Sequence, residues 1–289
     1  GNDKCPPMTG VVQNSAVRAS HGWTGVKGPL PRTLVVTRLS LAPAISPWNF
    51  RRSVVPRTLP GAPLTLMHNG LAAQLSSPDL RLLERRCKPV ELSAGDVLAA
   101  PDKPHGHVHF LTSASVALVV RHTDGSGLAV GLAGREGAVG LQNALGLGPG
   151  NLTLHVQGSG TAFRAEGEAL RRLVSRRGSM LRVFAVYLWM FSQEVAAMAA
   201  ASQTHDIKAR LAHWILLSHA RNGSDKLYLT HAHIADMLGV RRAGVTLAAV
   251  ELKELGLVDY QRGRVHILNG DGLRAVAKRP ALTHGLPRA

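Results

Sequence analysis

The sequence is poor in cysteine, acidic residues and aromatics. Only Cys5 and Cys87 occur in 289 residues. Two thiols exclude a disulfide-stapled scaffold, a four-cysteine iron–sulfur site and a thiolate zinc finger. There are 18 Asp+Glu against 34 Lys+Arg, a formal charge of +16. Such an excess implies an anionic partner, nucleic acid or an acidic membrane surface. No unbroken run of 18 apolar residues occurs, so no membrane span is expected. No nucleophile–base pair, metal triad or paired carboxylates stand out, and an enzyme is not expected. What is plentiful is chain: 45% of residues are hydrophobic, and the length suits about two domains.

The charge is uneven. Residues 1–66 carry 8 basic and 1 acidic residue, residues 67–205 carry 13 and 10, and residues 206–289 carry 13 and 7. The first 66 residues also hold nine of the 16 prolines, which interrupt any helix or central strand. They read as a disordered or poorly packed leader, with three accounts open: a transit-like segment, an upstream extension preceding a chain proper that starts at Met67, or a basic arm with phosphate affinity.

From Pro89 the pattern is short strands separated by turns. Val90–Leu92, Val97-Leu98, Val108–Leu111, Ser115–Val120, Leu128–Leu132, Leu152–Gln157 and Thr161–Arg164 read as strands, with Ala94-Gly95-Asp96 and Asp124-Gly125 as turns. This spacing predicts an antiparallel sandwich or jelly roll, preceded by short helices around Leu71, Leu75, Leu80 and Leu83. Gly134-Arg135-Glu136-Gly137 has two readings: a glycine loop offering N–H groups and a guanidinium to a phosphate, or a plain turn with a solvated ion pair. His105, His107 and His109 alternate, but Pro104 and Gly106 indicate a turn and no Cys, Asp or Glu partner lies within the cluster, so no metal site is expected.

After Glu166 the period becomes helical. Residues 179–204 contain neither proline nor glycine, and Leu181, Phe184, Leu188, Phe191, Val195 and Met198 keep the spacing of one helix face. Neighbouring apolar residues widen that face almost all round. Such a helix needs burial on more than one side: against the β domain and the same helix of a second subunit, or wholly within one subunit. Asp206 then caps a further helix.

The sharpest feature lies at 229–250. Thr230 can cap a short helix, Ala235 is small enough for a close crossing, and Gly239 suits a sharp turn of positive φ. A second helix opens with Arg241 and Arg242. This is a helix-turn-helix pattern. Arg241, Arg242 and Thr246 are the candidates for base readout. Two strands flank Gln261-Arg262-Gly263-Arg264, a hairpin wing with a basic tip. Thr230, His231, Arg262 and Arg264 are the candidates for the DNA backbone.

Taken together, His205–Trp214, the helix-turn-helix and Gly256-Leu257-Val258-Asp259-Tyr260-Gln261-Arg262-Gly263 resemble the Crp/Fnr family of bacterial transcription regulators, those similar to the cyclic-AMP receptor protein. The resemblance spans roughly 67–277. It implies an α+β architecture: a cyclic-nucleotide-binding-like β-roll over 67–178, a dimerisation helix over 179–204, a winged helix-turn-helix over 205–277 and a tail over 278–289. It further implies a cytoplasmic homodimer on two-fold double-stranded DNA, with RNA polymerase as a further partner and no membrane. The long helix would carry the signal to the DNA-binding domain.

The departures are informative. The family's phosphate cassette pairs a Gly-Glu-Leu stretch with Arg-Ser or Arg-Thr. The matching region here is Gly134-Arg135-Glu136-Gly137-Ala138, followed by Asn151-Leu152-Thr153-Leu154, without the second arginine. That argues against cyclic AMP, and no cofactor is expected; the Gly134–Gly137 loop remains the candidate effector pocket. The family's Arg-Glu…Arg readout becomes Arg242-Ala243…Leu247, so the family's usual operator is not expected. The alternative is a stand-alone cyclic-nucleotide-binding-like sensor with little specific DNA binding.

Overall fold

A computed structural model describes residues 65–101, 106–121, 127–148, 150–222 and 226–277. Residues 1–64 of the leader, His105, the Asp124-Gly125 turn and the tail lie outside the described residues; Leu66, the leader's last residue, is buried with Leu71 and Leu83 instead of being poorly packed. The described residues belong to one compact unit, Ile45–Ala289.

The first half is built from α1 (Ser77–Glu84), β1 (Cys87–Leu92), β2 (Val97–Ala99), β3 (His107–Leu111), β4 (Ser115–Arg121), β5 (Gly127–Ala133), β6 (Ala138–Val139), α2 (Leu141–Ala144), β7 (Leu152–Gly158), β8 (Gly160–Glu166) and α3 (Gly167–Val174). All its strand pairs are antiparallel. They form two four-stranded sheets, ordered β1-β8-β3-β6 and β2-β7-β4-β5. In β8 the small residues Ala162 and Ala165 are buried while Arg164 and Glu166 stand exposed. Leu111, Val116, Ala133, Leu154 and Val156 fill the space between the sheets. This is the expected jelly roll. Strand β6 and helix α2 are additions that the glycine-rich sequence around them concealed.

The long helix α4 spans Gly178–Thr204, 27 residues and about 40 Å at 1.5 Å per residue. Among the described residues it is the one helix long and apolar enough to cross a membrane by length and composition, with a mean hydropathy of 1.4. The absence of an unbroken apolar run had excluded such a segment; the looser criterion does not. Met180, Phe184 and Tyr187 are buried in the same cluster as Phe110 and Leu170, so one side of α4 closes the β-roll.

The second half comprises α5 (Ile207–Asn222), β9 (Lys226–Tyr228), α6 (His231–Leu238), α7 (Arg242–Glu254), β10 (Val258–Gln261), β11 (Arg264–Ile267) and α8 (Gly270–Val276). The carboxylate of Asp206 accepts from the Ala209 N–H at 2.7 Å and caps α5, as its sequence position suggests. The strands form a small sheet ordered β10-β11-β9. Trp214, Ile215, Ile234, Met237, Val245 and Leu252 form its core, and this core continues into Ala117, Val119, Ala129 and Leu132 of β4 and β5. The two halves therefore share apolar packing.

Polar contacts tie the same junction. Arg221 of α5 reaches Glu136 at 3.1 Å and also pairs with Glu194 of α4. Gln157 donates to Ser218 at 2.9 Å in a buried pair. Arg121 pairs with Asp236 at 3.2 Å, and the rings of His155 and His233 lie 5.5 Å apart. Gly134 is where α5 comes closest: a Cβ there would sit 2.6 Å from the Arg221 Cβ and 2.8 Å from its backbone. The glycine is needed for close approach.

Candidate nucleic-acid interface

Helix α6 starts at Thr230, whose Oγ1 accepts from the His233 N–H at 3.2 Å. It ends at Gly239, with φ 62° and ψ 41°, a left-handed conformation that costs glycine little. Ala235 is buried at the crossing, and the Val240 N–H donates back to its carbonyl at 3.0 Å. The chain then turns into α7 through Arg241.

Helix α7 opens without a side-chain cap and without an acidic residue in its first turn. Its free amide groups and dipole favour an anion, and the side chains supplied there are cationic. Arg241 and Arg242 are both exposed. Thr246, one turn further on, is half-buried; its hydroxyl donates to the Arg242 carbonyl at 3.1 Å and meets His231 Nδ1 at 3.0 Å. The His231 ring also lies 4.7 Å from Tyr260, whose hydroxyl donates to the Leu229 carbonyl. Burial, reinforced by nearby Arg242, keeps the imidazole below its ordinary pKa. His231 thus ties the start of α6 to α7 and the wing.

The wing hairpin pairs Gln261 with Arg264, leaving a two-residue turn. Both turn residues have positive φ: 47° at Arg262 and 80° at Gly263. This is the geometry that suits a tight hairpin, yet Asn, Asp or Gly would take the first position at lower cost. A non-glycine residue there costs about 1–2 kcal/mol. The strain holds an exposed guanidinium at the tip.

Thr230, His231, Arg242 and Arg262 line one groove of about 380 Å³, together with Lys253 and Tyr260. The sequence reading had singled out neither of those last two. Lys253 is recognisable only once α7 is known to run back towards the wing. Arg241, Arg264 and Thr246 do not line the groove; the two arginines stand exposed beside it.

The other candidates lie elsewhere. Gly134–Gly137 is a turn closed by Gly137 N–H to Gly134 O at 3.0 Å. Glu136 also accepts from the Gly134 N–H at 2.9 Å, and Arg221 holds the same carboxylate. The loop is thus engaged with α5 and α4. The cavity inside the β-roll, about 340 Å³, opens instead beside α2, bounded by Gly140, Leu141, Gln142, Leu118, Leu154 and Phe191 among others. None of the described residues lining it is charged. The signal for it was Gly140, left-handed at φ 83° just before α2. On α4, Leu181 is exposed, but Phe184 is wholly buried against Phe110 of its own chain, and Leu188, Phe191, Val195 and Met198 are half-buried. The large apolar residues that α4 leaves exposed are Leu181, Val186 and Trp189.

Residues 209–276 match the family model described as the Crp-like helix-turn-helix domain. A solved structure of a regulator assigned to the Crp/Fnr family from Eubacterium rectale superposes with a TM-score of 0.58 at 15% identity, covering 73% of this chain and 98% of that one. The c-di-GMP-responsive global regulator CLP of Xanthomonas campestris superposes at 0.56 and 15%, covering 66% and 99%. A CRP-family transcriptional regulator from Thermus thermophilus superposes at 0.54 and 20%, covering 65% and 96%. No curated protein matches by sequence.

The described fold is thus that of the Crp/Fnr-type regulators of known structure, and its residues 209–276 carry the match to the Crp-like helix-turn-helix domain.

Proposed function

We propose that the protein is a homodimeric, cytoplasmic transcription regulator, and not an enzyme, binding a two-fold DNA site under the control of an effector. The half-sites lie about one helical turn apart. Arg241 and Arg242 enter the major groove at the N-terminal end of α7, where a guanidinium can grip guanine O6 and N7 or a phosphate. Arg262, Arg264, Lys253 and the start of α6 follow the backbone. The observation that carries this reading is the single groove gathering Thr230, His231, Arg242, Lys253 and Arg262 from three separate elements.

The dimer seam lies on α4, where Trp189 is 67% exposed. The effector's place is the β-roll, whose cavity offers no charged side chain among the described residues; a phosphate-bearing ligand would gain no charge-assisted contact from these. Selection of bound duplexes from a random pool, using the full chain, tests the reading. A two-fold motif of roughly 14–22 base pairs is expected. Salt-dependent binding with no motif would support the alternative, a sensor with little specific DNA binding.

A further inference from the structure

Between Arg242 and Glu251, the residues that α7 exposes to solvent are apolar. Val245, Ala248, Ala249 and Leu252 are buried beneath it. Ala243, Leu247 and Val250 stand on the opposite side at spacings of four and three, which places them in one row. Leu247 is 67% exposed and Val250 48%. A helix that only covered its own core would carry polar residues there. The hydroxyl of Thr246 is already engaged with the Arg242 carbonyl and His231. Between Arg242 and Glu251 the face thus has no uncommitted hydrogen-bonding side chain; exposed Glu251, paired with Lys208, and Glu254 follow in the last turn.

The surroundings indicate what covers it. Arg241 and Arg242 stand exposed at one end, and Arg262 and Arg264 stand exposed on the wing. An apolar row fringed by cations complements a surface that is anionic at its edges and apolar in the middle. The major groove of DNA is such a surface wherever thymine presents its 5-methyl group. We propose that Ala243, Leu247 and Val250 read thymine methyl groups, while Arg242 reads guanine nearby. The inference rests on the DNA-binding reading above and deepens it: each half-site has a thymine-rich centre, recognised by methyl contact and not by hydrogen bonds.

The test uses the full chain and the duplex selected above. Each thymine is replaced in turn by deoxyuridine, which removes only the methyl group. Affinity should fall about fourfold at one or two positions per half-site, the worth of one buried methylene. Leu247→Ala should bind the thymine and uracil forms equally at one of those positions, with the guanine preference intact. The residue is exposed, so the variant should keep its fold, which circular dichroism checks. Indifference to uracil at every position would overturn the proposal, as would Leu247→Ala retaining the full uracil sensitivity everywhere. If the row serves a protein partner, Leu247→Ala and Val250→Ala bind the duplex as the parent does, which also overturns it. Failure to enrich any duplex removes the DNA-binding reading as well; enrichment with indifference to uracil removes this inference alone.

Discussion

At the scale of single residues, two arginines do opposite work. Arg242 is exposed at the start of an uncapped helix and holds its charge outward. Replacing it by alanine should weaken specific binding by about 1–3 kcal/mol and relax preference at its base; unchanged affinity for the selected site would contradict that role. Arg221 is buried, with a side chain only 11% exposed. Burial alone would lower its pKa, but Glu136 and Glu194 outweigh burial and hold the guanidinium charged. Burial also pushes the Glu194 carboxyl up, against the pull of Arg221. Arg221→Ala leaves two half-buried carboxylates without their shared cation. It should cost about 3–5 kcal/mol in urea unfolding, and adding Glu194→Gln should recover part of that loss. Arg242 was legible because it sits inside a local motif. Arg221 was not, because its partners lie on two other elements and only the fold brings them together.

At the scale of elements, α6 shows what periodicity leaves out. Its cap, its apolar side and its terminal glycine were legible, since each follows from local backbone chemistry. Its seat was not. It packs on the β-roll with its His233 against His155 of β7 and its Asp236 against Arg121 of β4. Burial holds both imidazoles below their ordinary pKa near 6.5, and Arg121 lowers both further while Asp236 acts against the shift. A depressed imidazole binds fewer protons folded than unfolded. The stabilising contribution is therefore complete above about pH 6.5 and lost as the pH falls through the depressed folded values. Stability to urea should decline between pH 7 and 5, and His233→Gln should flatten that decline; a flat profile in the parent protein would contradict it. Helix α4 is the converse case. It is apolar nearly all round, so the sequence could not say which side its own β-roll would take. The structure places Phe184 and Tyr187 inward and leaves Trp189 outward. Trp189→Asp should give a monomer in sedimentation velocity and sharply reduce affinity for a two-fold site.

At the scale of the whole molecule, the order of β-roll, long helix and winged helix-turn-helix was legible, because each has its own period and turn chemistry. The union of the halves was not. Apolar residues of β4 and β5 look like ordinary strand residues, yet they share a core with α5 and α6. The glycines read as turn residues also serve this union, as Gly134 does beneath Arg221. The β-roll thus meets the second half of the chain through Arg221 and through the seat of α6. The net charge of +16 has likewise changed meaning, since the informative cations are the few at the start of α7 and on the wing. The central claim is that two such surfaces grip one duplex from the same side. The direct measurement is the affinity of the full chain for its selected site before and after inserting about five base pairs between the half-sites, half a helical turn. The two halves then face opposite sides of the DNA, and affinity should fall towards that of a single half-site. Equal affinity for both duplexes would contradict the account.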